Sequence, residues 1–234
     1  MAILQFYPAN EFYRDVKRTE FTPGQFCWTV APNLEIIPKV LDVERNKPEE
    51  HDEVKFEIRD ANLHDDFKTD RVLPVKRLNL RSNEELLVQR AKRRPGIIIS
   101  AGGDTFADIE HLLRHKGKKH LQGDPIFVIP CYSIETDDSP AGFIPEMVAR
   151  IRCLLYKQFF YFPANRNFQE GIARFDRIQI VEGRSPAAIQ PTDVCLSEDV
   201  LNLFLALFVF CVTGIEDKEL APIRSLAREA YNSE

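Results

Sequence analysis

The sequence predicts a mainly β protein with added helices, of the α+β class, built around a compact barrel. Two observations carry this expectation: most apolar segments are short runs bounded by turn residues, and the one long apolar run comes late in the chain. The composition is sufficient for a hydrophobic core, because 44% of the 234 residues are hydrophobic and 10% are aromatic. No internal repeat is visible in the sequence.

The predicted strands are short and follow turn signals. A Pro-Gly turn opens the first strand, around residues 25–30. Residues 34–87 are strongly charged and lose any hydrophobic period, which indicates a solvated insertion with one edge strand at 54–58. The remaining strands are predicted at 96–100, at 126–130 with Pro130 as its end, at 158–162 and at 172–181.

Helical patterns are predicted over residues 105–115, from Ser197 to about Gly214, and over 218–231. Ser197 is a favourable N-cap, because two acidic residues follow it in the first turn. Residues 144–155 fit either a helix or a strand.

The longest apolar run, Val200–Val212, spans about 13 residues and is interrupted by Asn202. A membrane helix needs about 20 residues, so we interpret the run as a core or interface helix and expect no membrane contact. It is apolar almost all round and must be covered on more than one side. Either residues 1–20 and 218–231 cover it, or a second subunit does, which predicts a homodimer through this helix.

The compartment expected for the protein is the cytoplasm. The first 20 residues lack a basic region followed by an apolar core, so we expect no signal peptide. The five cysteines are scattered, odd in number and without a CxxC pair. This pattern argues against a disulfide framework or a four-cysteine zinc site and favours a reducing environment.

The net charge of −5 disfavours a protein that binds polyanions through bulk electrostatics. The charge is unevenly distributed, however: residues 1–70 carry 9 basic and 15 acidic side chains, residues 71–130 carry 12 and 6, and residues 131–234 carry 10 and 15. The basic middle segment contains Arg77 in VKRLNLRS and Arg90 in VQRAKRRPG. Such a patch either meets phosphates or forms an ordinary solvated face.

Three isolated motifs are weak. Gly102-Gly103 follows a predicted strand but lacks the spacing of a nucleotide-binding loop, so we interpret it as a turn. His111 and His115 can share a helix face near His120, yet there is no HExxH, which favours a surface helix over a zinc site. No histidine follows Ser133 and no GxSxG surrounds it, which argues against a serine hydrolase.

The order of five segments is more informative than any single motif. PGQFCWTV is followed by AKRRPGIIIS, IFVIPCYS, EGIARFDRIQIV, and an apolar helix after LSED. Residues 22–33 and 89–214 thereby resemble the MazF/PemK family of toxin endoribonucleases, whose members carry comparable segments in this order. The resemblance implies a single family domain, with residues 34–88 as an acidic insertion and 215–234 as a helical tail.

The resemblance implies an SH3-like barrel with a C-terminal helix, usually a homodimer, that cuts single-stranded RNA without a metal or other cofactor. In this chemistry the ribose 2′-hydroxyl attacks the adjacent phosphate, which requires a permanent cation on the phosphorane and hydroxyl groups that orient it. Arg94, directly before Pro95, matches the family's catalytic arginine. Lys92 and Arg93 are then expected to contact the RNA backbone, together with Arg90 and Arg77.

The second catalytic position departs from the family, because Tyr132 stands where the family has threonine and Ser133 follows it. A tyrosine places its hydroxyl several ångströms farther from the backbone than a threonine does, and such displacements at a reacting phosphate are costly. Three alternatives remain open: Ser133 supplies the hydroxyl, the tyrosine is a different solution, or activity is lost.

The leading hypothesis is therefore a MazF-like endoribonuclease toxin, neutralised by an acidic antitoxin. The insertion then acts either as a lid over the RNA groove or as an acidic segment that mimics an antitoxin. The alternative is a catalytically silent protein of this fold that binds a protein partner, such as a protease or sigma factor in antiphage or CRISPR-linked defence. A third hypothesis is a β-barrel interaction module unrelated to nucleic acid.

Overall fold

A computed structural model of the chain describes residues 3–45, 54–67, 80–81, 83–103, 106–118, 121–137 and 139–233. The chain divides into two compact units, one of residues 1–31 and 93–234 and the other of residues 32–92. The second unit occupies the region of the sequence in which we expect the insertion. Its status as an insertion into a family domain stays a prediction, as does that of the C-terminal tail.

The first unit is built on a sheet of strands of unequal length, whose recorded strand pairs are antiparallel. In the described residues this sheet has eight strands: β1 Tyr13–Asp15, β2 Gln25–Pro32, β6 Ala91–Ala101, β7 Pro125–Ser133, β8 Phe159–Phe162, β9 Gly171–Arg174, β10 Gln179–Glu182 and β11 Ile189–Leu196. Seven of them follow the order β1-β11-β2-β6-β7-β9-β8, and β10 pairs with β7 beside this path.

The second unit contains a three-stranded antiparallel sheet in the order β4-β3-β5, formed by β3 (Lys39–Arg45), β4 (Val54–Asp60) and β5 (Leu87–Val88). The strand expected at 54–58 is confirmed. The expectation that the rest of 34–87 lacks regular structure is wrong, since β3 pairs with β4 along seven residues. Alternation of apolar and charged residues in KVLDVER is the signal for this strand, and the high charge of the surrounding sequence obscured it.

Five helices lie in the described residues of the chain: α1 Ile3–Phe6, α2 Glu110–His115, α3 Pro145–Arg152, α4 Glu198–Thr213 and α5 Leu220–Ser233. The two late helices are confirmed within two residues of their expected bounds. The open question at 144–155 is settled as a helix, with Pro145 in the first turn, where its missing N–H breaks no hydrogen bond. The α+β class is thereby confirmed. No helix in the described residues is long and apolar enough to cross a membrane.

Helix α4 begins after Ser197 and ends at Gly214, whose φ of 74° is the left-handed conformation that suits glycine. Its residues Val200, Leu203, Phe204 and Leu207 are buried in one hydrophobic cluster. Residues of α1 and α5 belong to the same cluster, so the chain's own ends cover this face of the helix. The cover stops short of the C-terminal end of α4, where Val209 and Val212 are exposed.

Aromatic rings fill the core behind the sheet. The ring of Phe204 lies 5.0 Å from that of Phe160 on β8 and 5.1 Å from that of Phe175, in edge-on geometry. The ring of Phe26 on β2 lies 5.3 Å from that of Phe162 on β8 and 5.3 Å from that of Phe168, which lies between β8 and β9. These contacts fix β2, β8 and the segment that joins β8 to β9 relative to one another, and this is the region that forms the site described below.

Two strand predictions need correction. Strand β7 does not end at Pro130 but continues to Ser133, because Pro130 lies between the stretch that pairs with β10 and the stretch that pairs with β9. Neither β9 nor β10 has a residue paired with the proline, so its missing N–H costs no ladder hydrogen bond on that edge. The strand expected at 172–181 is two strands, since a 3₁₀ turn at Phe175–Arg177 turns Phe175 into the core.

The predicted helix at 105–115 is shorter than expected, and residues 104–105 lie outside the described residues. Strands β1 and β11 and helix α1 have no counterpart among the predictions. Among the described residues no pairing closes the sheet between β1 and β8, so the SH3-like barrel stays a prediction.

Candidate active site

A cleft of about 620 Å³ lies in the first unit, and we refer to it as the Arg94 cleft. Its walls come from β2, β6, β7, the segment that follows β7, and the loop between β8 and β9. The size falls within the range of about 300–1,000 Å³ that is usual for ligand sites. The polar side chains that line it are Arg93, Arg94, Tyr132, Ser133, Thr136, Ser139, Asn167, Gln169 and Glu170.

Arg94 is placed by the pairing of β6 with β7. Gly96 lies opposite Pro130, and Arg94 precedes Gly96 by two residues on β6. The close approach of the two strands requires a glycine, because a Cβ on Gly96 would lie 2.6 Å from Cγ1 of Val128. The arginine therefore projects from a strand whose path is fixed by close backbone packing, which limits the directions available to its guanidinium group.

The guanidinium group of Arg94 has no ion-pair partner among the described residues. Its Nε is buried and lacks a hydrogen-bond acceptor in that portion of the chain. It packs on the Tyr132 ring, whose centroid lies 4.3 Å from the guanidinium carbon. The terminal nitrogens of Arg94 form no hydrogen bond or ion pair among the described residues either, so they can bind a charged acceptor in the cleft.

Tyr132 contacts a second cation as well. The guanidinium carbon of Arg174, on β9, lies 5.1 Å from the centroid of the same ring. Arg174 donates hydrogen bonds to Asp176, which raises the pKa of the arginine above its ordinary value. The Tyr132 ring is thus held by two permanent cations, which fixes its orientation and that of Arg94.

Hydroxyl groups form one rim of the cleft. The hydroxyl oxygens of Ser133 and Ser139 are 2.7 Å apart and share a hydrogen bond, and Thr136 lies between them in sequence. Ser133 is exposed, so its hydroxyl is accessible to a ligand in the cleft. The rim therefore provides hydrogen-bond donors beside the cationic wall.

The cleft also contains a carboxylate, Glu170, which is the one acidic side chain among the described lining residues. It accepts hydrogen bonds from the hydroxyl of Tyr161, at 2.7 Å, and from Arg152, at 2.8 Å. Burial, and then the bond to Glu170, raise the pKa of Tyr161 to about 12. The tyrosine therefore stays protonated and continues to donate to Glu170, which holds the carboxylate in place.

Arg93 and Trp28 form the end of the cleft that lies nearest β11. The Arg93 guanidinium carbon lies 4.5 Å from the Trp28 ring centroid, and Nη2 donates to Oε1 of Gln190 at 3.1 Å. A further neighbour of Trp28 is Phe168, at 5.2 Å between centroids. A flat cation stacked on a half-buried indole is a surface that suits planar, electron-rich groups.

The structure brings together Arg94, Tyr132, Ser133 and Arg93, four of the residues selected from the sequence. Lys92 and Arg90 do not line the cleft; they belong to the second unit, where Arg90 pairs with Glu35 at 3.1 Å. Arg77 lies outside the described residues.

Sequence reasoning missed Trp28, Glu170 and Arg174. Trp28 is the chain's single tryptophan and sits in the first predicted strand, which was an available signal. Glu170 and Arg174 had no such signal in the sequence, because their positions near the cleft depend on how the loop before β9 returns to the sheet.

No group of three or more His, Cys, Asp and Glu side chains in the described residues is arranged to hold a metal ion. The rings of His111 and His115 stack with centroids 6.2 Å apart on the exposed helix α2, and His120 lies outside the described ranges.

No family model, curated protein or solved structure matches the chain. Membership of the MazF/PemK family therefore stays a proposal that rests on the order of the sequence segments and on the side chains that meet in the Arg94 cleft.

Proposed function

We propose that the protein is a MazF-like endoribonuclease that cleaves single-stranded RNA at the Arg94 cleft. The observation that carries the proposal is the guanidinium group of Arg94, unpartnered among the described residues, in a cleft that also contains hydroxyl groups and one carboxylate. These are the groups that an attack of a ribose 2′-hydroxyl on the adjacent phosphate requires.

In the proposed reaction the 2′ oxygen forms a bond to phosphorus while the bond from phosphorus to the 5′ oxygen breaks. The products are a 2′,3′-cyclic phosphate and a 5′-hydroxyl, so atoms and charge balance without a co-reactant. Arg94 stabilises the charge on the phosphorane, since its guanidinium group can bind two oxygens at once. Glu170 accepts the proton of the 2′-hydroxyl, the leaving 5′ oxygen takes a proton from solvent water, and Glu170 then returns its proton to the solvent. Ser133 donates a hydrogen bond to a phosphoryl oxygen.

We include in the proposal the finer features that the resemblance implies: an SH3-like barrel, a homodimer, and an acidic antitoxin that covers the cationic wall of the cleft. Charge complementarity supports the last of these, because Arg93 and Arg94 both line that wall. The reaction belongs to the cytoplasm, where its single-stranded RNA substrate is found.

The first prediction is that the purified protein cleaves a long single-stranded RNA in the presence of EDTA. Arg94→Ala should lower the rate about 10²–10³-fold, the cost of removing one preorganised donor from a charged transition state. Fragments are separated on a denaturing gel, and their ends are tested for cyclic phosphate.

The matched control is Arg114→Ala, which removes an exposed arginine of α2 that pairs with Glu110. It should cleave like the wild type. Absence of cleavage by the wild type at high protein concentration would contradict the proposal, and cleavage that Arg94→Ala retains would show that this cleft does not do the chemistry.

One observation favours the alternative of a catalytically silent binding protein. The Tyr132 ring packs on the Arg94 guanidinium group at 4.3 Å, at the position where the family has a small threonine. In that case the wild type is inert, and Tyr132→Thr uncovers the guanidinium group and produces cleavage. A protein partner, such as a protease or sigma factor, would then occupy the cleft in place of RNA.

A further inference from the structure

A second cavity of about 320 Å³ shares Trp28, Arg93 and Asn167 with the Arg94 cleft. We call it the Gln190 pocket. On its far side it is lined by Gln190, Thr192 and Arg18. Because Arg93 lines both cavities and is exposed, a ligand in either one can contact its guanidinium group.

The chemistry of the Gln190 pocket differs from that of the Arg94 cleft. The Nδ2 of Asn167 donates to Asp193 at 2.7 Å, which leaves its Oδ1 as an acceptor with no partner among the described residues. Nη2 of Arg18 donates a hydrogen bond to Oδ2 of the same aspartate, at 3.2 Å. The pocket therefore offers one acceptor beside several unused donors, which is the pattern that the edge of a nucleobase complements.

The two arginines that line the pocket, Arg18 and Arg93, lie in different electrostatic environments. Asp193 pairs with Arg18 and also with Arg166, and its hydrogen bond from Asn167 is the main cause that lowers its pKa. A carboxylate that stays ionised next to the pocket offsets the charge of Arg18, which leaves Arg93, stacked on Trp28, as the exposed cation. A planar group that can stack on this guanidinium group suits the pocket.

We propose that the Gln190 pocket is a nucleobase subsite, which holds the base next to the bond that is cut in the Arg94 cleft. The base stacks against the Arg93–Trp28 pair, and its edge is read by Asn167 and Arg18. This inference rests on the proposed endoribonuclease function, because the neighbouring cleft is taken to hold the phosphate. If it holds, these residues allow the protein to distinguish a strand that carries bases from a bare sugar-phosphate backbone.

Intrinsic fluorescence tests the inference directly, because Trp28 is the chain's single tryptophan. The probe is a single-stranded DNA hexamer of mixed sequence, which lacks the 2′-hydroxyl and cannot be cleaved by the proposed reaction. We expect saturable quenching of Trp28 by this hexamer and little quenching by an abasic hexamer that has the same number of phosphates.

Arg18→Ala should raise the Kd from quenching by about fivefold or more, as expected for the loss of one base-edge contact. The matched control is Arg114→Ala, since the two arginines are 69% and 70% exposed and each forms an ion pair. The control should stay within about twofold of the wild type, the size of effect usual for an exposed ion pair.

The possible results are distinguishable. RNA cleavage without any quenching of Trp28 overturns the subsite and leaves the endoribonuclease standing. Quenching without cleavage overturns the endoribonuclease and leaves a base-binding pocket. Equal quenching by the abasic hexamer, or equal Kd values for the two arginine variants, overturns the subsite.

Discussion

Arg94 combines a permanent charge with a restrained direction, and these two properties decide what it can do. The register of β6 on β7 sets its position, and the Tyr132 ring covers one face of its guanidinium group. A lysine at the same site would keep the charge and lose the planar donor fork. The geometry therefore favours recognition of an anion with two oxygens in one plane over a general attraction for negative charge.

Substitutions can separate the roles of the two adjacent hydroxyl-bearing residues, Tyr132 and Ser133. Ser133 is exposed and its oxygen is held by Ser139, whereas the ring of Tyr132 is held by two cations. We therefore predict that Ser133→Ala lowers the cleavage rate about tenfold, the cost of one hydrogen bond to a charged group. Tyr132→Phe keeps the ring and its cation contacts, and should stay within about threefold of the wild type.

Single-turnover rates on a short RNA with one cleavage site are the measurement for these two variants. Tyr132→Ala serves as the companion variant, because it removes the ring that orients Arg94 and should cost about tenfold. If Tyr132→Phe is slow and Ser133→Ala is unaffected, the phenol supplies the hydroxyl and the assignment to Ser133 is wrong.

At the scale of elements, β9 approaches β7 closely enough to exclude a side chain at Gly171. A Cβ there would lie 2.7 Å from Cζ of Phe162 and 2.8 Å from the carbonyl oxygen of Tyr132. The second of these contacts is with the backbone of β7 beside the proposed catalytic residues. A larger residue at position 171 would therefore push β9 away from β7 and change the shape of the Arg94 cleft, which both strands line.

We predict that Gly171→Ala lowers the free energy of unfolding by about 1–3 kcal/mol, the usual cost of forcing an added carbon into a packed region. Urea denaturation measures the change. Gly103→Ala is the matched control, because a Cβ at Gly103 meets its nearest neighbour at an ordinary 3.5 Å. A loss in Gly171→Ala no larger than that of the control would show that β7 and β9 separate readily.

The positions of the strands and loops explain which residues of the site can be predicted from the sequence and which cannot. Arg94 lies two residues before the apolar part of β6, and Tyr132 and Ser133 lie at the end of its neighbour β7. Short apolar stretches of this kind are readily predicted. Glu170 and Trp28 enter the cleft through the return of the β8–β9 loop and the position of β2 beside β6. These are tertiary relations, which no local pattern encodes.

The same distinction applies to the fold. The sequence pattern predicts β2, a β-rich stretch after a Pro-Gly turn, and the apolar part of β6 at 96–100, but it misses residues 91–95 of β6. Strand β3 contains several charged residues, and β11 carries Pro191 and Asp193, so neither was predicted. Strand β7 was cut short at Pro130, since a proline normally ends a strand that is paired on both edges. The change of partner from β10 to β9 at that residue is visible only once the sheet order is known.

At the scale of the whole molecule, the uneven charge is compatible with the proposed function. The chain carries a net charge of −5, yet the segment of residues 71–130 has twice as many basic as acidic side chains. Arg93 and Arg94 come from this segment and line the cleft. Bulk acidity therefore does not decide whether RNA binds, because affinity depends on the charges within about a Debye length, roughly 8–10 Å.

The exposed end of α4 bears on the oligomeric state. Val209 and Val212 of α4, and Ile215 just beyond its end, are 51%, 67% and 74% exposed, although the opposite face of the helix is buried in the hydrophobic core. An apolar patch left uncovered on a helix is typical of an interaction surface. A second copy of the chain, packed through the same helix, is the cover that the proposed homodimer supplies.

We predict that light scattering gives twice the chain mass of 27.0 kDa at micromolar concentration, and that Val212→Glu shifts the mass to that of one chain. The glutamate would place a charge in an apolar interface, where desolvation opposes association. Leu112→Glu is the control, because Leu112 is an exposed apolar residue of α2, at 52%, and should leave the mass unchanged. A wild-type mass of 27.0 kDa at every concentration would contradict the homodimer, and the apolar end of α4 would then remain solvated or bind a different protein.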